Sequence, residues 1–453
     1  MCVRGLIIKA LYFNKGFSKS KFKSMEKRCG KDGKKMNIKA FEEYESQVRS
    51  YCRKFPTVFV RSKGAKQYDE DGKEYIDFFM GAGALNYGHN NDYIKEKLVK
   101  YLLDDGVTHA MDMYTKPKRE FIEYFEDNIL KPRGLDYKIM FPGPTGTNSV
   151  EAALKLARKV TGRQTIFAFM GCFHGMSLGS LSLTTEEAAR KGAGVPLNNV
   201  VHIPTPYMFP GLDVLNYIET LITDDHSGVE KPAAIFIETL QAEGGIYPFD
   251  TEFLRGLRTL CDKHEILLAV DDVQVGCGRT GYFFSFERAG IVPDIVCLSK
   301  SIGGYGMPFA LTLFKPQYDI WSPGEHNGTF RGFQLSLVAA KAALELVVNE
   351  DVPGMAKSKE NFVRDYLTKA MAEISPDIEV RGLGLIWGCD FGKFPKGTVV
   401  RIIHEAFDNG LIFETAGRED CVAKIMPSLM ISDEDLEKGL EIFVNAVKTV
   451  LGR

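Results

Sequence analysis

Two apolar runs of strand length each end in a side chain able to do chemistry. ILLAVDD, residues 266–272, closes on Asp271 and Asp272, and DIVCLSK, residues 294–300, closes on Lys300. Open α/β sheets place their ligands at the C-terminal ends of strands. A carboxylate buried there is costly unless a cation faces it. Taken singly, the two acids fit a turn cap and an ion pair with Arg279, and Lys300 fits an exposed strand end. Taken together, Asp271 and Lys300 stand 29 residues apart and deliver a carboxylate and an amine to one sheet edge. A lysine amine can form a Schiff base with an aldehyde. A carboxylate can keep a ring nitrogen protonated so that the ring accepts electrons. That pairing suits pyridoxal 5′-phosphate.

The stretch after the acids spells G-x-G-x-x-G at Gly276, Gly278 and Gly281. A dinucleotide fingerprint needs those glycines directly after a strand and at the start of a helix. Here DDVQV intervenes, and anionic side chains beside a phosphate would repel it, so the glycines read as a turn. A better phosphate cradle lies in FPGPTGTNSVEAALKLARK, where a strand runs through a Gly/Thr turn into a helix. Backbone N–H groups and the helix dipole would meet an anion at Gly146 and Thr147. An ordinary N-cap by Thr147 or Asn148 is compatible with the same residues.

The elements that must position these groups follow from periodicity. TIFAFM, AAIFIE, ILLAVDD, DIVCLSK and FALTLF are near-continuous apolar runs separated by helical stretches, the mark of a parallel sheet buried on both faces. YKIMF (137–141) adds a short strand, and the Ala- and Leu-rich stretch from Ser149 to Lys159 has helical spacing. Residues 37–55 read as a charged helix. Asp71-Gly72 between alternating runs predicts a hairpin. Further helices are expected near 92–104, 117–130, 333–348, 354–373 and 433–451, and strands near 377–391. No repeat or low-complexity linker is present.

Bulk properties narrow the function classes. At 453 residues, the chain suits one large domain and a smaller one. No apolar run approaches the roughly 20 residues that span a bilayer. Residues 1–35 hold 11 Lys/Arg against 2 Asp/Glu, which leaves 46 basic and 57 acidic residues in the rest. The acidic body argues against nucleic-acid binding. The basic head reads as a disordered extension, or as an organellar targeting segment. The nine cysteines are scattered without a C-x-x-C, so reduced thiols of a cytoplasmic protein are expected rather than disulfides or a metal site.

Together, YDEDGKEYIDF, PTGTNSVEAALKLAR, FHG, IETLQAEGG, DDVQVGCGRTG, the Lys300 segment and HNGTF resemble the class III pyridoxal-phosphate-dependent aminotransferases, of fold type I. The likeness runs from about Phe41 to the end. It implies a large domain (91–330) with a mostly parallel sheet flanked by helices, and a small α+β domain from both chain ends (36–90 and 331–453). Lys300 would carry the cofactor and shuttle protons. Asp271 would pair with the ring nitrogen, Gln274 would bond the phenolic oxygen, and Val273 and Phe173 would pack on the two ring faces. Gly146 and Thr147 would bind the phosphate, and Glu238 would line the site. Thr329 would reach the phosphate of a second subunit, making a homodimer the minimal active unit.

Further stretches, FFMGAGALNYGHNN, LKPRGLDYKIMFPGPTGTN and IWSPGEHNGTFRG, resemble one branch of the family, and that resemblance implies amino transfer from L-glutamate to L-aspartate 4-semialdehyde. Other ω-amino donors, a decarboxylase and a non-catalytic relative remain as alternatives. Many family members place an Arg before a Pro-Pro-Leu segment to bind the α-carboxylate of glutamate. In AKIMPSLMI, Lys424 stands at that Arg and Ser428 at the second Pro. Glu243 is expected to pair with Lys424 and to swing away when glutamate enters. Arg331, Asn86 and Tyr87 are further candidates for substrate contacts. Neither His89 nor His174 is needed as a base.

Overall fold

The computed structural model describes residues 38–453; the basic head expected over 1–35 lies outside them. Among the described residues, 38–49 and 50–453 fall in separate compact units. The first contains the helix Lys39–Tyr44. The single helix expected over 37–55 is therefore corrected: the chain leaves helical form at Glu45 and resumes it only over Tyr51–Lys54. Ser46 supplies the reason, since its Oγ accepts the Val48 N–H at 3.3 Å, a local bond that competes with the helix ladder.

After the Tyr51–Lys54 helix, the second unit continues with β1 (Phe59–Lys63), β2 (Lys66–Asp69) and β3 (Glu74–Asp77). The hairpin expected at Asp71-Gly72 joins β2 to β3. Asp69 accepts the N–H groups of Asp71 and Lys73 across it, and Gly72 takes a φ of 84°, a value that glycine adopts without a Cβ penalty.

Next come β4 (Lys138–Met140), β5 (Ile166–Phe169), β6 (Val200–Ile203), β7 (Ala234–Ile237), β8 (Leu240–Gln241), β9 (Tyr247–Pro248), β10 (Leu267–Asp271), β11 (Ile295–Leu298) and β12 (Leu311–Phe314). Seven of these form one sheet in the order β4-β12-β11-β10-β7-β5-β6. Strands β11, β10, β7, β5 and β6 run parallel. β12, the FALTLF run, is antiparallel to both neighbours, contrary to a parallel reading. All of β12 is buried, so its unbroken apolar run reports burial on both faces and carries no information about direction.

The C-terminal part supplies β13 (Glu379–Leu383), β14 (Ile386–Asp390), β15 (Leu411–Ile412), β16 (Glu414–Ala416) and β17 (Val422–Ile425). β15 pairs with β3 and completes the N-terminal sheet, while β13-β14-β17-β16 form another. The helices Gln334–Asn349, Val352–Ile374 and Asp433–Leu451 match the periodic stretches. Among the described residues, no helix is long and apolar enough to cross a membrane.

Candidate active site

β10 and β11 are neighbours and parallel, with Asp271 opposite Cys297. Both strands are buried throughout, so their first polar side chains appear together where they end. Asp271 closes β10, and Lys300 follows β11 at the start of a 3₁₀ turn. Lys300 has a φ of 53°. A non-glycine residue in that region carries about 1–3 kcal/mol of strain and keeps it only if its surroundings insist. Here both neighbours are clamped: Ser299 Oγ donates to the Phe309 carbonyl at 2.7 Å, and Ser301 Oγ donates to that of Gly83 at 2.6 Å.

These strand ends open on a cavity of about 160 Å³. Of the residues singled out from the sequence, Lys300, Asp271, Val273, Gln274, Gly146, Thr147, Phe173, Glu238 and Glu243 line it. Burial, reinforced by Lys424 and opposed by Glu243, holds the Lys300 amine below the ordinary lysine value. The Asp271 carboxylate accepts the Val273 N–H at 3.1 Å through Oδ1 and lies 2.7 Å from His174 Nδ1 through Oδ2. His174 is a buried lining residue whose part the sequence did not reveal. Burial disfavours its charged form, but the Cys172 sulfur and the Asp271 carboxylate overcome this and raise its pKa well above the imidazole range. The signal was present in FHG, but only the adjacency of strands shows what the His faces.

Glu238 accepts the N–H groups of Phe173 and Ala242, which fixes the Phe173 main chain against the cavity. Burial, with Asp271 nearby, pushes the Glu238 carboxyl up to about 7. Gly146 opens the helix Gly146–Thr161, whose first N–H groups have no partner within the helix. A Cβ at Gly146 would come within 2.9 Å of Val273 Cγ1, so glycine permits the close approach. The Thr147 hydroxyl lies 2.5 Å from those of Ser177 and Ser180, making a polar pocket at this end.

Behind Glu243 sits a buried cluster. Lys424 Nζ lies 2.6 Å from Glu243 and 2.8 Å from Glu414, and its side chain is wholly buried. Burial alone would depress this ammonium, but the two carboxylates raise it above the usual lysine range. Gln274 Nε2 donates to Glu243 at 2.9 Å and to the Ala82 carbonyl at 3.0 Å. Glu414 was not singled out from the sequence; it faces Lys424 only because β16 pairs with β17 in that register.

The other candidates lie elsewhere. Asn86 does not line the cavity: its side-chain amide donates to the Cys277 carbonyl, and its Oδ1 accepts from Arg279. Tyr87 is buried, with a hydroxyl lacking a partner. Arg279 pairs with neither Asp271 nor Asp272, but donates to the carbonyls of Leu385 and Pro427. Asp272 instead accepts the Ser285 N–H, and burial pushes its carboxyl up to about 7. Thr329 is exposed. Arg331 pairs with Asp112 and with the His326 carbonyl.

The cavity suits the cofactor expected from the sequence. It offers an amine of depressed pKa for an aldehyde, a fixed carboxylate for a ring nitrogen, and a helix N-terminus with hydroxyls for a phosphate. Gln274 Oε1 is buried without a partner, free to accept from a phenolic hydroxyl.

Known proteins agree. A diaminobutyrate–2-oxoglutarate transaminase of Halalkalibacterium halodurans is 54% identical over 419 residues, covering 92% of this chain and 97% of that protein. The protein of the same name from Streptomyces coelicolor is 51% identical over 416 residues, covering 91% and 98%. Among solved structures, an ornithine aminotransferase of Toxoplasma gondii has a TM-score of 0.81 at 22% identity, covering 96% of this chain and 99% of its own. An S-selective transaminase of Arthrobacter reaches 0.82 at 22%, covering 91% and 98%. These structures share the fold. The class-III aminotransferase pattern matches residues 48–447. This chain belongs to the class-III aminotransferases.

Proposed function

We propose that this chain is a pyridoxal-phosphate-dependent transaminase of fold type I. It passes an amino group from L-glutamate to L-aspartate 4-semialdehyde, giving 2-oxoglutarate and L-2,4-diaminobutyrate. The structural observation that carries this reading is the cavity lined by Lys300, Asp271 and Glu243, with Lys424 paired behind Glu243. The substrates come from the relatives' shared name, at about half identity over nine-tenths of the chain.

Bound here, the cofactor supplies an aldehyde that takes up amino groups and a ring that accepts an electron pair. The protein's own groups do the rest. Lys300 would take the proton from the carbon bearing the amino group and return it to the carbon on the other side of that nitrogen. Its depressed pKa keeps enough of the amine neutral for that work. Asp271, braced by His174, fixes a negative charge at the cavity floor. Gly146 and Thr147 hold the phosphate end. Lys424, when Glu243 turns aside, meets the carboxylate on the reacting carbon of glutamate. L-2,4-diaminobutyrate, reacting at its terminal amine, has no carboxylate there and needs Glu243 in place. One cavity thus serves both half-reactions in turn.

A second copy of the chain completes the site in this reading. Thr329 is exposed, and Met111, Met113, Tyr114 and Phe330 stand exposed on the segments around it. His109 packs edge-on against Phe330, so the two segments form one face. Exposed apolar groups gathered in this way mark an interface. The described cysteines are unpaired, which suits a cytoplasmic setting.

The test is the visible absorbance of the cofactor-loaded protein. Addition of L-2,4-diaminobutyrate is expected to bleach the yellow band, and 2-oxoglutarate to restore it. A band that responds to L-glutamate but ignores diaminobutyrate would discard the substrate and keep the family. A protein that never takes up the cofactor would discard both.

A further inference from the structure

Glu243 has the anatomy of a side chain that can leave. Its main chain is pinned, because its carbonyl accepts the Gly417 N–H at 2.8 Å. Its side chain is 29% exposed and lines the cavity. Each of its side-chain donors has a second acceptor. Gln274 also donates to the Ala82 carbonyl, and Lys424 also pairs with Glu414. Rotation of Glu243 therefore leaves neither donor without a partner.

Glu414 has the opposite character. Its side chain is 6% exposed. It projects from β16 directly across from Lys424 on β17 and is not part of the cavity wall. An incoming substrate can displace Glu243 but has no route to displace Glu414.

We propose that Glu414 is the standing counter-ion of Lys424, a positioning residue that holds the ammonium in place and charged while Glu243 is away. It thereby sets the affinity for the substrate that carries a carboxylate on its reacting carbon. The inference rests on the transamination reading above and deepens it. With Glu243 docked, two carboxylates surround one ammonium. With Glu243 turned aside, Lys424 and Glu414 balance each other, and the carboxylate of glutamate restores the first arrangement. Without Glu414, the intermediate state would be an isolated buried ammonium, which sheds its proton. The groups that act on Lys424 from the neighbouring elements are Glu243, Glu414, Tyr51 and Lys300. Tyr51 is held neutral by burial and by the nearby carboxylates. Lys424 in turn lowers the Lys300 amine, so with Glu243 away Glu414 is the anion that remains beside Lys424.

The test compares pH profiles of kcat/KM for the two amino donors, L-glutamate and L-2,4-diaminobutyrate, on the cofactor-loaded enzyme. Both alkaline limbs contain Lys300; only the glutamate limb requires Lys424 to be charged. In Glu414→Gln the glutamate limb is expected to fall by about one pH unit or more, a roughly ten-fold loss at any pH on that limb. The loss should lie mainly in KM, and the diaminobutyrate limb should not shift. Glu414→Asp, which keeps the carboxylate, is expected to restore most of the glutamate limb lost in Glu414→Gln. Equal movement of both limbs in Glu414→Gln, or of neither, would overturn the proposal. So would a Glu414→Asp glutamate limb no higher than that of Glu414→Gln; if Glu414→Gln does not fold, Glu414→Asp decides the matter by whether its glutamate limb alone has moved. If the wild type reacts with glutamate and not with diaminobutyrate, the substrate reading fails, and the glutamate limb of Glu414→Gln still decides the role of Glu414.

Discussion

His174 Nδ1 lies 2.7 Å from Asp271 Oδ2, with both side chains buried. Replacing His174 by Ala leaves a carboxylate oxygen buried without a donor, at a cost of about 1–3 kcal/mol. His174→Ala is therefore expected to lower kcat/KM by about 5- to 150-fold and to weaken cofactor retention, measured by dialysis and absorbance. Unchanged values for both would remove His174 from the site. A pH signature accompanies this. The folded-state pKa of His174 is raised, so the pair's contribution to stability is fully present below the ordinary imidazole value of 6.5. It is lost as pH rises through the higher folded value. The stability difference between wild type and His174→Ala should shrink as the pH of chemical denaturation is raised above neutral.

Asp272 gives a second pH test. Burial, aided by the nearby Asp271 charge, raises its carboxyl from 3.8 to about 7, and its Oδ1 has no partner. A raised carboxyl contributes stability at low pH that disappears as pH climbs through about 7. Asp272→Asn keeps an acceptor for the Ser285 N–H and removes the charge. The variant is expected to gain about 1–3 kcal/mol relative to wild type between pH 5.5 and 8. Urea unfolding at both pH values would show it. A variant that loses ground at pH 8 would mean the Asp272 charge is needed.

Lys300→Ala is expected to abolish turnover, by about 10²–10⁴-fold for the lost proton transfer alone. Alanine inherits the left-handed conformation of Lys300 and its strain, so thermal stability should change little. Normal turnover in this variant would overturn the mechanism.

The exposed apolar face offers a fourth test. Phe330→Glu or Tyr114→Glu places a charge where a second copy is expected to cover apolar surface. Light scattering should report a shift to monomer, with weaker cofactor binding through loss of Thr329 from the neighbouring site. A monomeric wild type, or a dimeric variant with unchanged cofactor affinity, would reject this interface.

Much of this site could be read from residue order because its chemistry sits at strand ends. A buried strand is a continuous apolar run, and a polar residue ending such a run marks the edge of a sheet. Asp271 and Lys300 satisfy that rule, and Gly146 satisfies the corresponding rule for a helix start. The direction of β12 escaped the same reasoning because burial looks alike in either direction. His174 and Glu414 escaped it because their partners are set by which strands become neighbours, and sequence spacing does not encode that choice. Asn86 shows the converse limit. Its polar side chain, in a stretch shared with the family, suggested a ligand contact, yet its amide is spent on Cys277 and Arg279.

Arg279 joins chain segments made at very different times. Its guanidinium reaches Asn86, Leu385 and Pro427, and the buried ion cluster likewise waits for Glu414 and Lys424. On the ribosome, Asp271 and Lys300 emerge well before Leu385, Glu414, Lys424 and Pro427. A nascent chain short of residue 427 holds a buried arginine with a missing acceptor, a penalty of the kind that keeps buried polar groups from settling. The site therefore closes only once residue 427 has joined the fold, and a chain cut before it leaves Arg279 short of an acceptor.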